Sequence, residues 1–501
     1  MTTVLERKVK TSDTPYSYDE AVELTGHGRY NYLLLAACCV ISNAMALDMF
    51  GFSVVVAAAS CDLHLGITET GLLASAPFAG VLFAFPWGYF ADTQGRRRAL
   101  LLSTSGGFIF AALSSLAPTW QIMLALKIIG CSFSTSSFSL TMAYLGESTG
   151  SKHRSRYLFI MISMNIASEI VSFGLAYFIL PLSLHWEITW LSLTYRSWRL
   201  YTFVIAVPLG IGALLLTYLY ESPKFLANKG EINVALKVLR KIYVANGGKD
   251  DDYPVHHLEI TENANSQEQT KKNLWSSLVS QTVPLFQPPL LLRTLQLFYL
   301  IVICCTTNNV FLMWFPTMVN LFFNSVSGGT TDVGFCEGVV QNATNNVQAE
   351  NFICNDAMSP NTVYSGIILG FFFTFVNLMA SRLASWRRLV LIGCYLVAAI
   401  SSILVGIVTK PVWSMIFFSL IQITCVGIGS VASYFVDMYP TTYRGLVTSL
   451  GMMVARLSSF AGVNVIGVII VDHCNLTFYC WSIVVLSGVA VALFLPSDRK
   501  K

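Results

Sequence analysis

Long apolar runs, each ended by a short cluster of charged or turn-forming residues, repeat along the whole chain. Twelve stand out, at about 31–58, 68–90, 99–117, 121–146, 157–180, 200–220, 294–322, 361–381, 389–409, 412–436, 445–471 and 478–495. A helix needs about 20 apolar residues to cross the hydrocarbon core of a bilayer, so each run predicts one membrane-spanning helix. Six runs precede a polar stretch at 221–293 and six follow it. The expected fold class is an all-α membrane protein with 12 transmembrane helices in two six-helix halves. The expected divisions are a polar segment 1–30, a first half 31–220, a linker 221–293, a second half 294–495 and a tail 496–501. Internal repeats of this kind build many secondary transporters, with the solute site near the midplane between the repeats.

Composition narrows the class further. Of 501 residues 54% are hydrophobic and 12% charged, about half the charge of a soluble domain. The chain lacks the polar residues that soluble domains need to cover their surfaces, and 13% aromatic content opposes disorder. The net charge of +4 gives no argument for nucleic acid; the partner the composition implies is the lipid bilayer. The first thirty residues are polar, so the first apolar run is expected to be a retained span. Position of charge says more than its sum. With both termini on one side, 26 of the 31 Lys and Arg fall on that side, and only Arg196, Arg199 and Lys410 fall opposite. Lys and Arg stay cytoplasmic, so both termini and the linker are expected in the cytoplasm. An odd number of spans does not give this partition.

The largest loop on the other side, 323–360, has no Lys or Arg. It carries a sequon at Asn342, a glycosylation candidate, and two cysteines, Cys336 and Cys354, a candidate disulfide for a luminal or extracellular face. In the linker, Ile232, Leu236, Leu239 and Tyr243 form one helical stripe, which predicts a short helix beneath the bundle. The stretch 247–272 has no such pattern and is expected to be mobile. His256-His257 lacks a second ligand pair at helical spacing, so no metal is expected, and no cofactor.

The most specific motif follows the second run: Gly88-Tyr89-Phe90-Ala91-Asp92-Thr93-Gln94-Gly95-Arg96-Arg97-Arg98. Gly88 suits close helix approach, Gly95 a tight turn, and Asp92 a pairing with Arg or a helix N-terminus. The segment resembles the loop between spans 2 and 3 of the major facilitator superfamily. Ser197-Trp198-Arg199, Glu221-Ser222-Pro223-Lys224-Phe225-Leu226, Trp314-Phe315-Pro316 and Asp437-Met438-Tyr439-Pro440-Thr441-Thr442-Tyr443-Arg444 agree with it. Gly26-His27-Gly28-Arg29-Tyr30 is similar to the entry of the synaptic vesicle glycoprotein 2 group, within the branch that includes organic cation transporters. The resemblance runs from about residue 24 to 495. It implies the major facilitator fold and a gating set of Gly88, Asp92, Gly95, Arg96, Arg97, Glu221, Asp437 and Arg444. Two departures stand out. The luminal repeat domain of the vesicle glycoproteins is missing between spans 7 and 8. The second-half copy of the loop, Ser381-Arg382-Leu383-Ala384-Ser385-Trp386-Arg387-Arg388, keeps the basic pair and lacks the Asp and Gly.

Away from their ends, the runs hold four charged residues: Asp48, Lys127, Glu169 and Arg456. Each costs about 2.5–3.5 kcal/mol on insertion scales and needs a partner, water or a use. A functional role makes Asp48 or Glu169 a proton- or cation-linked carboxylate, and Arg456 its partner or an anion contact. A structural role makes them a buried pair that holds the halves together. Asn308, Asn309, Trp314, Asn377, Gln422 and Tyr434 are candidate walls of a polar, aromatic pocket. No nucleotide-binding, zinc-hydrolase or serine-hydrolase motif is present, so an enzyme is not expected. The expected function is secondary active or facilitative transport of a small organic solute by alternating access, with a coupled proton or cation left open. The alternative is a transporter-fold vesicle membrane protein with a trafficking or regulatory binding role. A monomer in the plasma membrane or a secretory or synaptic-type vesicle membrane is expected.

Overall fold

Inside a bilayer every backbone N–H and C=O must be satisfied within the chain, which leaves a long apolar run helical. The computed structural model describes residues 16–80, 84–189, 193–259, 282–327, 334–337, 358–382, 386–439 and 441–496. In it span 1 is Arg29–Met49 and Phe52–Ala59, and span 2 is Ile67–Ala79 and Ala84–Gln94. Span 3 is Arg96–Ser114, and span 4 is Trp120–Ser134 and Ser137–Ser148. Span 5 is Ser151–Ile166 and Ser168–Ile179, and span 6 is Ser197–Thr217. In the second half, spans 7, 8 and 9 are Leu291–Ser327, Pro360–Arg382 and Arg387–Ile407. Span 10 is Pro411–Leu420, a 3-10 turn Ile421–Ile423, and Thr424–Met438. Thr441–Ala492 carries spans 11 and 12, divided where His473 leaves helical geometry.

By length and apolarity alone, nine helical stretches among the described residues qualify as membrane-crossing. The remaining three have simple causes. Span 2 is in two shorter pieces, span 3 opens on Arg96, Arg97 and Arg98, and spans 11 and 12 run together. Large apolar side chains on the outer surface, such as Phe178, Ile368, Val412 and Phe494, are exposed, as a lipid-facing surface requires.

The face that carries the basic loops also carries a small cap. Strand Tyr16–Ser17 pairs in parallel with Leu258–Glu259. Helix Tyr18–Leu24 starts in a capping box made by Ser17 and Glu20. It packs on the linker helix Ile232–Ala245, whose Ala235, Leu239 and Ile242 are buried. The Tyr253 hydroxyl donates to Ala21 O at 2.9 Å. The expectation of mobility for 247–272 is therefore corrected for its described part: apolar Tyr253, Val255 and Leu258 are buried in the cap core and hold 253–259 in place.

The expected Cys336–Cys354 pairing is also corrected. Cys336 is bonded to Cys474, with Cα atoms 5.7 Å apart. Phe335 stacks on Phe418 and packs edge-on against Phe478, which sets Cys336 beside the turn between spans 11 and 12. Cys61 is disulfide-bonded too. Asn342 and Cys354 lie outside the described residues.

The halves meet unevenly along their length. Away from the basic face, Phe52–Ala59 packs on span 7, Ile67–Ala79 on span 11, and Ser168–Ile179 on span 8. Toward the basic face, Ala84–Gln94, Ser137–Ser148 and Ser151–Ile166 pack within the first half, and Thr424–Met438 almost entirely within the second.

Candidate functional site

Span 1 breaks at Phe50-Gly51, where Ser53 and Val54 donate to carbonyls only three residues back. The carbonyl of Asp48, just ahead of the break, accepts from Lys127 Nζ at 2.5 Å. The same ammonium meets Asp48 Oδ1 at 2.5 Å. Asp48 Oδ2 accepts from the Ser134 hydroxyl at 2.6 Å and the Cys131 thiol at 3.6 Å. Lys127 also lies 4.4 Å over the Phe52 ring. Both charged side chains are 3% exposed. A buried pair repays desolvation only when its remaining lone pairs and protons are satisfied, and here they are. The structure thus joins Asp48 to Lys127 inside the first half.

Glu169 and Arg456 are not joined, to each other or to that pair. Glu169 is half-buried at the head of Ser168–Ile179. Its Cβ lies 3.5 Å from where a Cβ on Gly370 of span 8 would stand, and it interacts electrostatically with Cys425 of span 10. Arg456 is half-buried on span 11, within electrostatic reach of Cys305 on span 7 and Cys131 on span 4. Among the described residues neither makes a hydrogen bond or an ion pair. A Cβ on Gly427 of span 10 would stand 2.8 Å from Cys304 Sγ, so Cys425 and Cys305 occupy one level of the bundle. Glu169 therefore lies beside spans 8 and 10, and Arg456 within electrostatic reach of spans 4 and 7.

The polar candidates divide. Asn308 donates to Asn309 at 3.3 Å, and Asn309 to the Ser459 hydroxyl at 3.1 Å, which ties span 7 to span 11. Asn377 donates to Phe373 O at 2.9 Å and reaches Cys425 Sγ at 3.7 Å. Gln422 lies in the 3-10 turn of span 10, and its buried Nε2 has no acceptor among the described residues. Contacts of Phe418 with Phe311 and Phe315 on one side, and of Gly427 with Cys304 on the other, place it level with Asn308.

Two aromatic candidates are corrected. Trp314 is a wedge, not a pocket wall: it is 1% exposed, donates to Val463 O at 3.1 Å, and sits where Gly71 of span 2 crosses Gly467 of span 11. Tyr434 stands at the basic face, where Arg387 lies 4.1 Å over its ring. Bulk placed both: an indole fills the gap left by two glycines, and a phenol ring offers a guanidinium its π-face.

The Trp314 crossing is one of two seams that close the cleft away from the basic face. There Asn464 donates to Ser75 Oγ at 2.9 Å across the halves. At the other seam span 8 presents Gly366 to the Phe173 ring and Gly370 to Ile170, the four-residue spacing that lets membrane helices approach closely.

At the basic face the gating residues bind within their own halves. Gly95 has φ +114°, a left-handed region glycine tolerates, and a side chain there would strike the Glu221 carboxylate. Glu221 accepts from the Arg97 backbone N–H at 2.9 Å. The Arg97 guanidinium donates to Leu216 O at 2.8 Å and Thr217 O at 3.0 Å. Arg96 binds Asp92 at 2.5 Å and Glu147 at 3.3 Å, and Glu147 accepts from Ser222 at 2.6 Å. In the second half Arg387 binds Asp437 at 2.5 Å. The close approach expected at Gly88 is corrected: among the described residues a Cβ there meets nothing within 4 Å. The Arg444 side chain lies outside the described residues.

Sequence reasoning missed Glu147, Asp62 and the seam glycines. Glu147 had a signal, as the lone acid between residues 93 and 168 in a stretch rich in Arg. Asp62 binds Arg196 at 3.1 Å and Arg199 at 3.4 Å, two of the three basic residues that fall opposite. Gly366 and Gly370 were readable as a four-residue repeat.

This arrangement defines an integral membrane protein of two six-helix halves, with Glu169 and Arg456 unpaired inside its spans among the described residues. A sequence profile of the Major Facilitator Superfamily matches residues 36–463, and the chain belongs to that family. It is similar to synaptic vesicle glycoprotein 2C of Mus musculus, 26% identical over 243 residues, covering 48% of this chain and 33% of that protein. It is likewise similar to synaptic vesicle glycoprotein 2A of Homo sapiens, 26% identical over 262 residues, covering 51% of this chain and 35% of that protein. The matched part is thus about a third of these relatives. Its fold is similar to a partially occluded inward-open xylose transporter XylE from E. coli, TM-score 0.64, 14% identity, covering 94% of this chain and 99% of that one.

Proposed function

We propose that the chain is a secondary transporter that carries a small organic solute by alternating access, with its basic face in the cytosol. The uneven meeting of the halves carries this reading: two glycine seams close one end of the cleft while the gating loops at the other end bind only their own half. Glu169 and Arg456 stand between these ends without protein partners among the described residues. The buried Asp48–Lys127 pair of the first half is the candidate for a coupled proton or cation. Coupling of that kind fits the similarity in fold to a D-xylose-proton symporter, TM-score 0.62 at 12% identity. The membrane is the plasma membrane or that of a secretory vesicle.

A vesicle protein that binds without cycling is the second reading, supported by the relatives' vesicle origin and by the loss of Asp and Gly from the second-half loop. Spin-label distances in proteoliposomes separate the two. One pair, Leu182→Cys with Val412→Cys, spans the closed end; another, Tyr218→Cys with Trp386→Cys, spans the basic face. All four positions are exposed, and the exposed free Cys480 is first replaced by Ser. Transport predicts two populations whose long distances alternate between the pairs. A single fixed distance at both pairs favours the binding protein.

A further inference from the structure

We infer that the solute carries two opposite charges on one small molecule, an ammonium held by Glu169 and a carboxylate or similar anion held by Arg456. The inference rests on the transport reading above.

Inside the spans there are two acids and two bases away from the ends: Asp48, Glu169, Lys127 and Arg456. Asp48 and Lys127 cancel at 2.5 Å and are 3% exposed, so neither offers a free charge to a solute. Glu169 and Arg456 are both half-buried and have no hydrogen bond or ion pair among the described residues. Were they a strut between the halves, they would touch. Instead Glu169 lies against Gly370 and near Cys425, whereas Arg456 lies near Cys305 and Cys131. Glu169 therefore lies in the first half beside spans 8 and 10, and Arg456 in the second half within electrostatic reach of spans 4 and 7, so the two opposite charges belong to different halves.

That geometry selects on charge in two ways. A solute with one charge satisfies one wall and leaves the other charge desolvated and unpaired, which is the costly state for a buried ion. A solute with both satisfies both. The four site charges also sum to zero, so a net-neutral guest leaves the closed site neutral in a low-dielectric interior. The two-fold division of labour also couples binding to closure: Glu169 belongs to the first half and Arg456 to the second, and a molecule that bridges them draws the halves together.

The experiment uses the purified full chain in detergent and reads ligand-induced shifts in thermal unfolding. The probes are γ-aminobutyrate, ε-aminocaproate and glycine betaine, with hexylamine and hexanoate as single-charge partners of ε-aminocaproate. At least one zwitterion should bind about tenfold more tightly than either single-charge probe, the effect of one added charge contact. Glu169→Gln should erase the advantage over the carboxylate, and Arg456→Gln the advantage over the amine, each by about tenfold. Unliganded melting temperatures of both variants confirm that they fold. Equal binding of single-charge and zwitterionic probes, no binding of any probe, or equal losses for amine and carboxylate in each variant overturn the inference. Alternating spin-label distances together with any of these results sink this inference alone. Fixed distances sink the transport reading whatever binds.

Discussion

The two ends of the cleft hold their shape by different forces. At the closed end, Gly71 lies against Gly467 and Trp314, and Gly366 and Gly370 lie against Phe173 and Ile170, with one amide–hydroxyl bond between Asn464 and Ser75. At the basic end, charge pairs link Arg96 to Asp92 and Glu147, and Arg387 to Asp437, each inside its own half. In a membrane, helices attract chiefly through close packing, and that attraction fades over a fraction of an ångström once the backbones part. Apolar seams can therefore open without stranding a charge. Ion pairs confined to one half do the opposite: they hold each half together without tying it to the other.

The largest effect should come from the interior of the first half. Lys127→Met leaves Asp48 buried and unpaired, and should lower stability by about 3–5 kcal/mol. Asp48→Asn added to it should restore most of that loss, since the double variant buries no net charge. Thermal unfolding in detergent measures both, and equal melting of Lys127→Met and the unaltered chain would show that the pair does not stiffen the half.

A smaller shift should follow at the seam. A Cβ on Gly71 would stand 3.0 Å from Trp314 Cζ2 and 3.3 Å from Gly467 Cα. Gly71→Leu should disfavour the closed end by about 1–3 kcal/mol, seen as growth of the long distance between labels at 182 and 412. No change in that distribution would mean that the crossing is not what closes this end.

Glu147→Gln removes the acid shared by Arg96 and Ser222 and should cost about 1–3 kcal/mol. Its signature is lower melting with the closed-end distance unaltered. A change in that distance would break the division between rigid halves and a movable gap.

The smallest effect concerns the cap. His27 stacks on His153 with ring centroids 4.3 Å apart, and the Tyr157 hydroxyl lies 3.3 Å from its Nε2. Partial burial first, then His153 and Arg156, hold His27 below the ordinary imidazole range. The docked cap thus favours neutral His27. Its contribution is full above the free value of about 6.5 and fades as pH falls through the lowered one. Hydrogen exchange in Tyr18–Leu24 should quicken as the medium is acidified, and His27→Gln should flatten the response.

The spans were legible because an apolar run of bilayer length has only one way to satisfy its backbone. The family's gating loop was legible as a motif, down to the left-handed glycine at Gly95. Contacts between distant segments were not. Asp48 and Lys127 are 79 positions apart, and their meeting depends on a break at Gly51 that no local pattern marks. Trp314 and Tyr434 sit on the spans expected to line a pocket, yet depth and rotation about the helix axis put one in a seam and the other at the basic face. The partner of Cys336 was hidden for the same reason, being 138 residues away in sequence.

Strand Tyr16–Ser17 is zipped to Leu258–Glu259, and Arg154 reaches Asp19 at 2.7 Å from the head of span 5. Among the described residues the cap is therefore a knob fastened to the first half. An antibody fragment gripping it would ride as a fiducial on that half, giving particle images of a small lipid-embedded protein a fixed frame against which the other half's position is read.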